Sequence, residues 1–142
     1  MTRVRRAAEA DAAAIAELMG QLGYPSSEAQ VLARLARFAR FPGAEVFVAE
    51  RDGVVVGVVG LSQTQLLAQD SPSSRITALA VTPDARRAGV ATALLSAAEE
   101  EARGQGCFRL EVTSRTERRD AHAFYLSRGF EERRHRFAKE LE

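Results

Sequence analysis

Three groups of residues in this sequence combine reactive or donor chemistry with a telling spacing. The first is Leu79-Ala80-Val81-Thr82-Pro83-Asp84-Ala85-Arg86-Arg87-Ala88-Gly89-Val90-Ala91-Thr92: an apolar run stopped by proline, a turn with two arginines, and a small-residue start to a helical pattern. Chain that leaves a buried strand and enters a helix in this way leaves backbone N–H groups unpaired at the positive end of the helix dipole, which suits a phosphate. Gly89 and Ala91 let a ligand reach the backbone, and Arg86 and Arg87 add planar, forked donors that match phosphate oxygens. The second is Tyr125, in a short helical segment closed by Gly129-Phe130; its phenol can donate to a leaving group that gains negative charge. The third is Glu111, on the polar side of the run Phe108–Thr113, where Phe108, Leu110 and Val112 alternate with Arg109, Glu111 and Thr113.

The first two groups carry a resemblance. Arg86-x-x-Gly89-x-Ala91 after Val81-x-Pro83 resembles the acetyl-CoA pyrophosphate loop of the GNAT superfamily of N-acetyltransferases. About thirty residues later, Ala121-His122-Ala123-Phe124-Tyr125-Leu126-Ser127-Arg128-Gly129-Phe130 resembles that family's A-x-x-(F/L)-Y-x-x-x-G-F segment. Two ordered motifs at this separation weigh more than either alone. The resemblance implies acetyl-CoA as co-substrate and two parallel strands, here Ile76–Thr82 and Phe108–Thr113, that splay where it enters. It places the backbone of Leu79, Ala80 and Val81 along the pantetheine arm, with Leu79 and Val81 pairing as an added strand does. Arg86, Arg87, Ala88, Gly89, Val90, Ala91 and Thr92 fall at the pyrophosphate, with help from the Thr92 hydroxyl. Ala121 and Phe124 fall beside the cofactor, though Phe124 also reads as a packing residue. Arg118 stands where many members carry an asparagine that contacts the cofactor; it either reaches a CoA phosphate or belongs to a solvated charged loop.

The same resemblance makes Tyr125 the general acid beside the thioester sulfur. A thiol has a pKa near ~8.5 and a phenol near ~10, so the phenol can donate to a departing thiolate. The base is less defined. A primary alkylamine with a pKa of ~10.4 must lose a proton, at a cost of about 4.6 kcal/mol at pH 7. Some relatives carry a glutamate on the strand before the pyrophosphate loop, but the matching region here is Thr77-Ala78. Glu111 is the best remaining candidate, against the alternative of an ion pair with a neighbouring arginine.

Bulk composition sets the frame. The chain has 142 residues, room for one domain with a real core. Twenty basic residues against 19 acidic ones give a net charge of +1, which argues against nucleic acid as a partner. One cysteine, Cys107, allows no internal disulfide, and with two histidines it leaves too few ligands for a structural zinc. No run approaches the ~18 apolar residues of a membrane span. The expectation is a cytoplasmic protein that uses no metal and no membrane partner.

The elements that must position these groups follow in order. A first strand spans Thr2–Arg6, and a helix runs from Asp11 to about Leu22 with Ile15, Leu18, Met19 and Leu22 on one face. Ser27-x-x-Gln30 is a capping-box pattern that opens a second helix. Strands Glu45–Glu50 and Val54–Ser62 meet at Asp52-Gly53, a hairpin signal, and the second is apolar on both faces, hence central. A polar loop from Gln63 to Ser74 precedes the strand Ile76–Thr82. A helix follows from Gly89 to Arg103, with Gly104 as its C-terminal stop, then the strand Phe108–Thr113 and a short helix Ala121–Arg128. Two final strands are expected around Glu131–Arg133 and His135–Glu140. The order β-α-α-β-β-β-α-β-α-β-β reads as one α/β domain over residues 1–142, a mixed central sheet flanked by helices, and it is the GNAT order. The resulting expectation is an acetyl-CoA-dependent N-acetyltransferase acting on a small-molecule primary amine. Its rivals are a protein or peptide N-acetyltransferase and a catalytically silent acyl-CoA-binding module, and a homodimer is plausible by resemblance.

Overall fold

The chain winds around its most apolar strand, β3 (Val54–Thr64), in a computed structural model that describes residues 1–86, 88–113, 119–133 and 136–141, Arg119 by its backbone only. β1 (Thr2–Arg6), β2 (Glu45–Arg51), β3, β4 (Ser73–Val81) and β5 (Arg109–Val112) form one sheet in the order β1-β2-β3-β4-β5. The first three junctions are antiparallel, and β4 to β5 is parallel. Asp52 and Gly53 both take positive φ (53° and 78°) between β2 and β3, the two-residue turn whose twist matches the paired strands.

Helices cover both faces. On one, Val59, Leu61 and Ile76 pack with Val90, Leu94, Leu95 and Ala98 of α3 (Val90–Gly104). On the other, Val48, Val58 and Ala80 meet Ala12, Ile15 and Leu18 of α1 (Ala12–Leu22) and Val31 of α2 (Glu28–Arg40). Each fully buried aliphatic side chain here contributes about 1.5–3 kcal/mol. The reciprocal cap that opens α2 forms as its sequence predicts: Ser27 Oγ accepts from the Gln30 N–H at 3.1 Å, and Gln30 Oε1 from the Ser27 N–H at 2.9 Å.

The structure departs from the sequence reading in three places. The loop between β3 and β4 is only residues 65–72, because both strands extend past their most apolar stretch. Gly104 is still helical, and the left-handed stop is Gly106 (φ 78°). Among the described residues of the tail, 131–133 and 136–141 form no strand. That stretch is dense in charge, and Phe137 and Leu141 stay exposed rather than supplying a buried face. The α4 helix (Arg119–Ser127) ends the regular structure among the described residues.

A charged knot ties the first strand to the first helix. Arg5 donates to both oxygens of buried Asp11 at 2.8 and 2.9 Å and to Glu50 Oε2 at 3.1 Å, while the Ala8 N–H donates to Asp11 Oδ2 at 2.7 Å. The Arg5 hydrogen bonds, aided by the Ala8 amide, hold the Asp11 carboxyl below its ordinary pKa despite the opposing effect of burial. Its contribution is therefore complete above the unfolded carboxylate pKa of ~3.9 and is lost as pH falls through the lower folded value. Asp11→Asn is expected to cost about 2–3 kcal/mol in urea denaturation at pH 7, less than the usual ~3–5 kcal/mol for breaking a buried pair, because Arg5 remains partly solvated. The gap to wild type should close between pH 5 and pH 2. A gap that does not depend on pH in this range would mean that the carboxylate's charge is not what stabilises the knot.

Candidate active site

β4 parts from β5 halfway along. The parallel pairing runs only from Ser73↔Arg109 to Ile76↔Val112, whereas β4 stays paired with β3 as far as Val81↔Gly57. At the point of parting, β4 holds an extra residue: Gly60 opposes Ala78 and Leu61 opposes Ile76, so Thr77 forms a bulge. From Thr77 onward, no described strand pairs with the far edge of β4. Antiparallel alternation then fixes which groups face that gap. Because the Thr82 N–H donates to Val56 O at 2.8 Å, residues 80 and 78 are the ones bonded to β3, and Leu79 and Val81 turn their N–H and C=O groups outward. The Val81 carbonyl indeed lies 3.4 Å from Arg86 Nε.

The chain leaves this edge through a 3₁₀ turn at Pro83–Ala85 and enters α3 at Gly89, whose φ of 80° places it in the left-handed region. A side chain at Gly89 would meet nothing within 4 Å, so the space over the helix start is open. The first bond into the helix runs from the Ala93 N–H to Gly89 O at 3.0 Å, so the amides of Val90, Ala91 and Thr92 have no carbonyl inside the helix to accept them. Gly57 seats this helix start on the sheet. A Cβ there would lie 2.9 Å from Leu94 Cδ1 and 3.1 Å from Val90 Cγ1. Sequence reasoning missed Gly57 and Thr77; the available signal was a glycine inside a valine-rich strand.

The predicted residues fall into two groups. Leu79, Val81, Arg86, Ala88, Gly89, Ala91 and Thr92 line the open edge and the helix start. Ala80 turns the other way, into the α1 core, and Val90 is buried under α3, so both offer only backbone there. Tyr125 and Glu111 form the second group and line one cavity of about 810 Å³ along β5 and α4. Tyr125 sits edge-on to Phe124 and Phe130 at 5.5 and 5.7 Å between ring centroids, and both phenylalanines pack against the α3-side core. Ala121 is half-buried on α4. Arg87 and Arg118 lie outside the described residues.

Glu111 is engaged. Its Oε2 accepts from Arg75 Nη2 at 3.2 Å, and its Oε1 is 3.4 Å from Arg109 Nε. Cys107 also borders the cavity, and its thiol is pushed above the ordinary pKa by burial, with a smaller opposing contribution from Gln63. The thiol therefore stays protonated at neutral pH and is a poor nucleophile.

This arrangement can be set beside known proteins. Residues 12–130 match the model of the acetyltransferase (GNAT) family. The chain is 37% identical over 100 residues to an aminoalkylphosphonate N-acetyltransferase of Salmonella typhimurium; the match covers 70% of this chain and spans 65% of the relative's length. Among solved structures it is similar to an aminoglycoside antibiotic 6′-N-acetyltransferase from Acinetobacter haemolyticus (TM-score 0.80, 26% identity, 99% of each chain). An aminoglycoside N-acetyltransferase in complex with CoA shares the fold (TM-score 0.86, 23% identity, 99% of this chain and 95% of that one).

Proposed function

The chain belongs to the GNAT family of acetyltransferases, and on that premise we propose that it moves an acetyl group from acetyl-CoA directly to the primary amine of a small molecule. The observation that carries the proposal is the unpaired β4 edge at Leu79 and Val81 running into the bare amides at the start of α3. The residues present fit the cofactor. Outward N–H and C=O groups of Leu79 and Val81 suit the amides of a pantetheine arm, and the open space over Gly89 suits a diphosphate. Arg86 and the Thr92 hydroxyl would add donors at the phosphates, and Ala121 and Phe124 would border the arm on the α4 side; the roles proposed for Arg87 and Arg118 at the phosphates rest on the sequence motif alone.

Bound acetyl-CoA supplies an activated acetyl thioester. In this reading Tyr125 donates to the sulfur as it leaves, held in place by the two phenylalanine rings. Glu111 takes the amine proton once its arginine partners are drawn away. The protonated Cys107 supports direct transfer over a route through an acetylated cysteine. Acceptors of small size are supported by the Salmonella relative, whose name gives it aminoalkylphosphonates.

Two variants test the two halves of this reading. Gly89→Glu puts an anion at the diphosphate position, and calorimetry should show acetyl-CoA affinity down by more than about tenfold. An equal affinity in a folded variant would remove the loop from the site. Tyr125→Phe keeps the ring and loses the donor, so kcat should fall by about 10²–10⁴-fold with little change in acetyl-CoA affinity. Turnover of an amine within twofold of wild type would make Tyr125 a packing residue.

A further inference from the structure

Arg75, Arg109 and Glu111 occupy one face of the sheet just before β4 and β5 part. Arg75 pairs across with Glu111 and Ser73 with Arg109, and side chains two apart on a strand share a face. Their neighbours Ile76, Leu110 and Val112 turn to the opposite face and join the α3-side core. The polar quartet therefore opens on the face away from α3. Arg75 is two residues before the Thr77 bulge, about 7 Å at the usual strand rise of ~3.3 Å.

The charges in this quartet do not balance. Two guanidinium groups face one carboxylate, and only Arg75 Nη2 makes a hydrogen bond to it; Arg109 Nε lies at 3.4 Å from Glu111 without alignment for one. Among the described residues, the Nε atoms of Arg75 and Arg109 and the hydroxyls of buried Ser73 and, on the opposite face, Ser74 are shielded from solvent and have no hydrogen-bond acceptor. The Arg75 and Arg109 side chains are 36% and 34% exposed and border the cavity, so their remaining donors are open to a ligand. Arg109 is further fixed by stacking on the Phe108 ring at 4.9 Å. Within the quartet, the donors of Arg75 and Arg109 that Glu111 leaves unengaged have room for a second oxyanion.

We propose that Arg75 and Arg109 bind an anionic group on the acetyl acceptor, so that the acceptor is an amine carrying a phosphonate, phosphate or carboxylate. This rests on the acetyltransferase reading above. An acceptor of that kind is a zwitterion: its oxyanion takes the two guanidinium groups, and its ammonium takes the carboxylate of Glu111 that they release. The forked donors of arginine match such an oxyanion with paired, charge-assisted hydrogen bonds.

The test uses the full chain saturated with CoA and titrated by calorimetry with propylphosphonate, which has no amine to react. Wild type should bind it; Arg75→Gln and Arg109→Gln should each weaken binding at least tenfold, with Arg75→Lys in between. Butyrate in a parallel titration distinguishes a planar from a tetrahedral anion. In steady-state assays, kcat/KM for 3-aminopropylphosphonate should exceed that for butylamine at least tenfold. That ratio should collapse in either glutamine variant, mainly through KM. Propylphosphonate binding that is absent in wild type, or equal in wild type and both folded variants, overturns the proposal, as does an absence of preference for the anionic amine. Failure of the acetyltransferase reading would look different: no amine, charged or neutral, would be acetylated, while propylphosphonate binding would still report on the two arginines.

Discussion

The feature on which this structure depends is the edge of β4 that faces β5, which among the described residues is paired along only half its length. From Ser73 to Ile76 it is paired on both sides; beyond the Thr77 bulge, β3 is its only partner among the described residues. A row of backbone donors and acceptors left open beside a helix N-terminus is costly unless something binds there. The packing around it is arranged to preserve the opening. Val90 and Leu94 of α3 press onto β3 through the space left by Gly57, which fixes the helix start next to the gap. The knot of Arg5, Asp11 and Glu50 secures the far side of the sheet.

From this parting follows a division of labour between the two faces. The α3 side is filled with apolar groups, including Phe124 and Phe130, and presents Tyr125 among them. The opposite side of β4 and β5 carries Arg75, Arg109 and Glu111, which are charged and partly solvated. Under the proposed mechanism, a thioester lying in the gap would have the Tyr125 phenol on one side and the charged cluster on the other.

Several local signals are met in the structure, although the expected helix stop at Gly104 is not. Ser27 and Gln30 form their reciprocal cap, Asp52-Gly53 makes the predicted turn, and Gly89 opens α3 in the left-handed region. What the sequence hides is pairing between distant segments. Nothing around Thr77 marks a bulge, since a β-branched residue fits a regular strand equally well, and the bulge appears only once Gly60 and Leu61 take their partners. Arg75 and Glu111 are 36 residues apart, and only the parallel register of β4 and β5 brings them together. The tail strands expected around Glu131–Arg133 and His135–Glu140 have little apolar surface to specify pairing: residues 131–133 are all charged.

Amide hydrogen exchange at β4, followed residue by residue with and without acetyl-CoA, tests the central claim most directly. The N–H groups of Ala78 and Ala80 already point to β3 and should exchange slowly in both states. Those of Leu79 and Val81 face the gap and should exchange quickly in the free protein, then slow by more than about tenfold when acetyl-CoA is bound. If calorimetry shows acetyl-CoA bound while Leu79 and Val81 exchange as before, the cofactor does not lie along β4, and the account of the site is wrong.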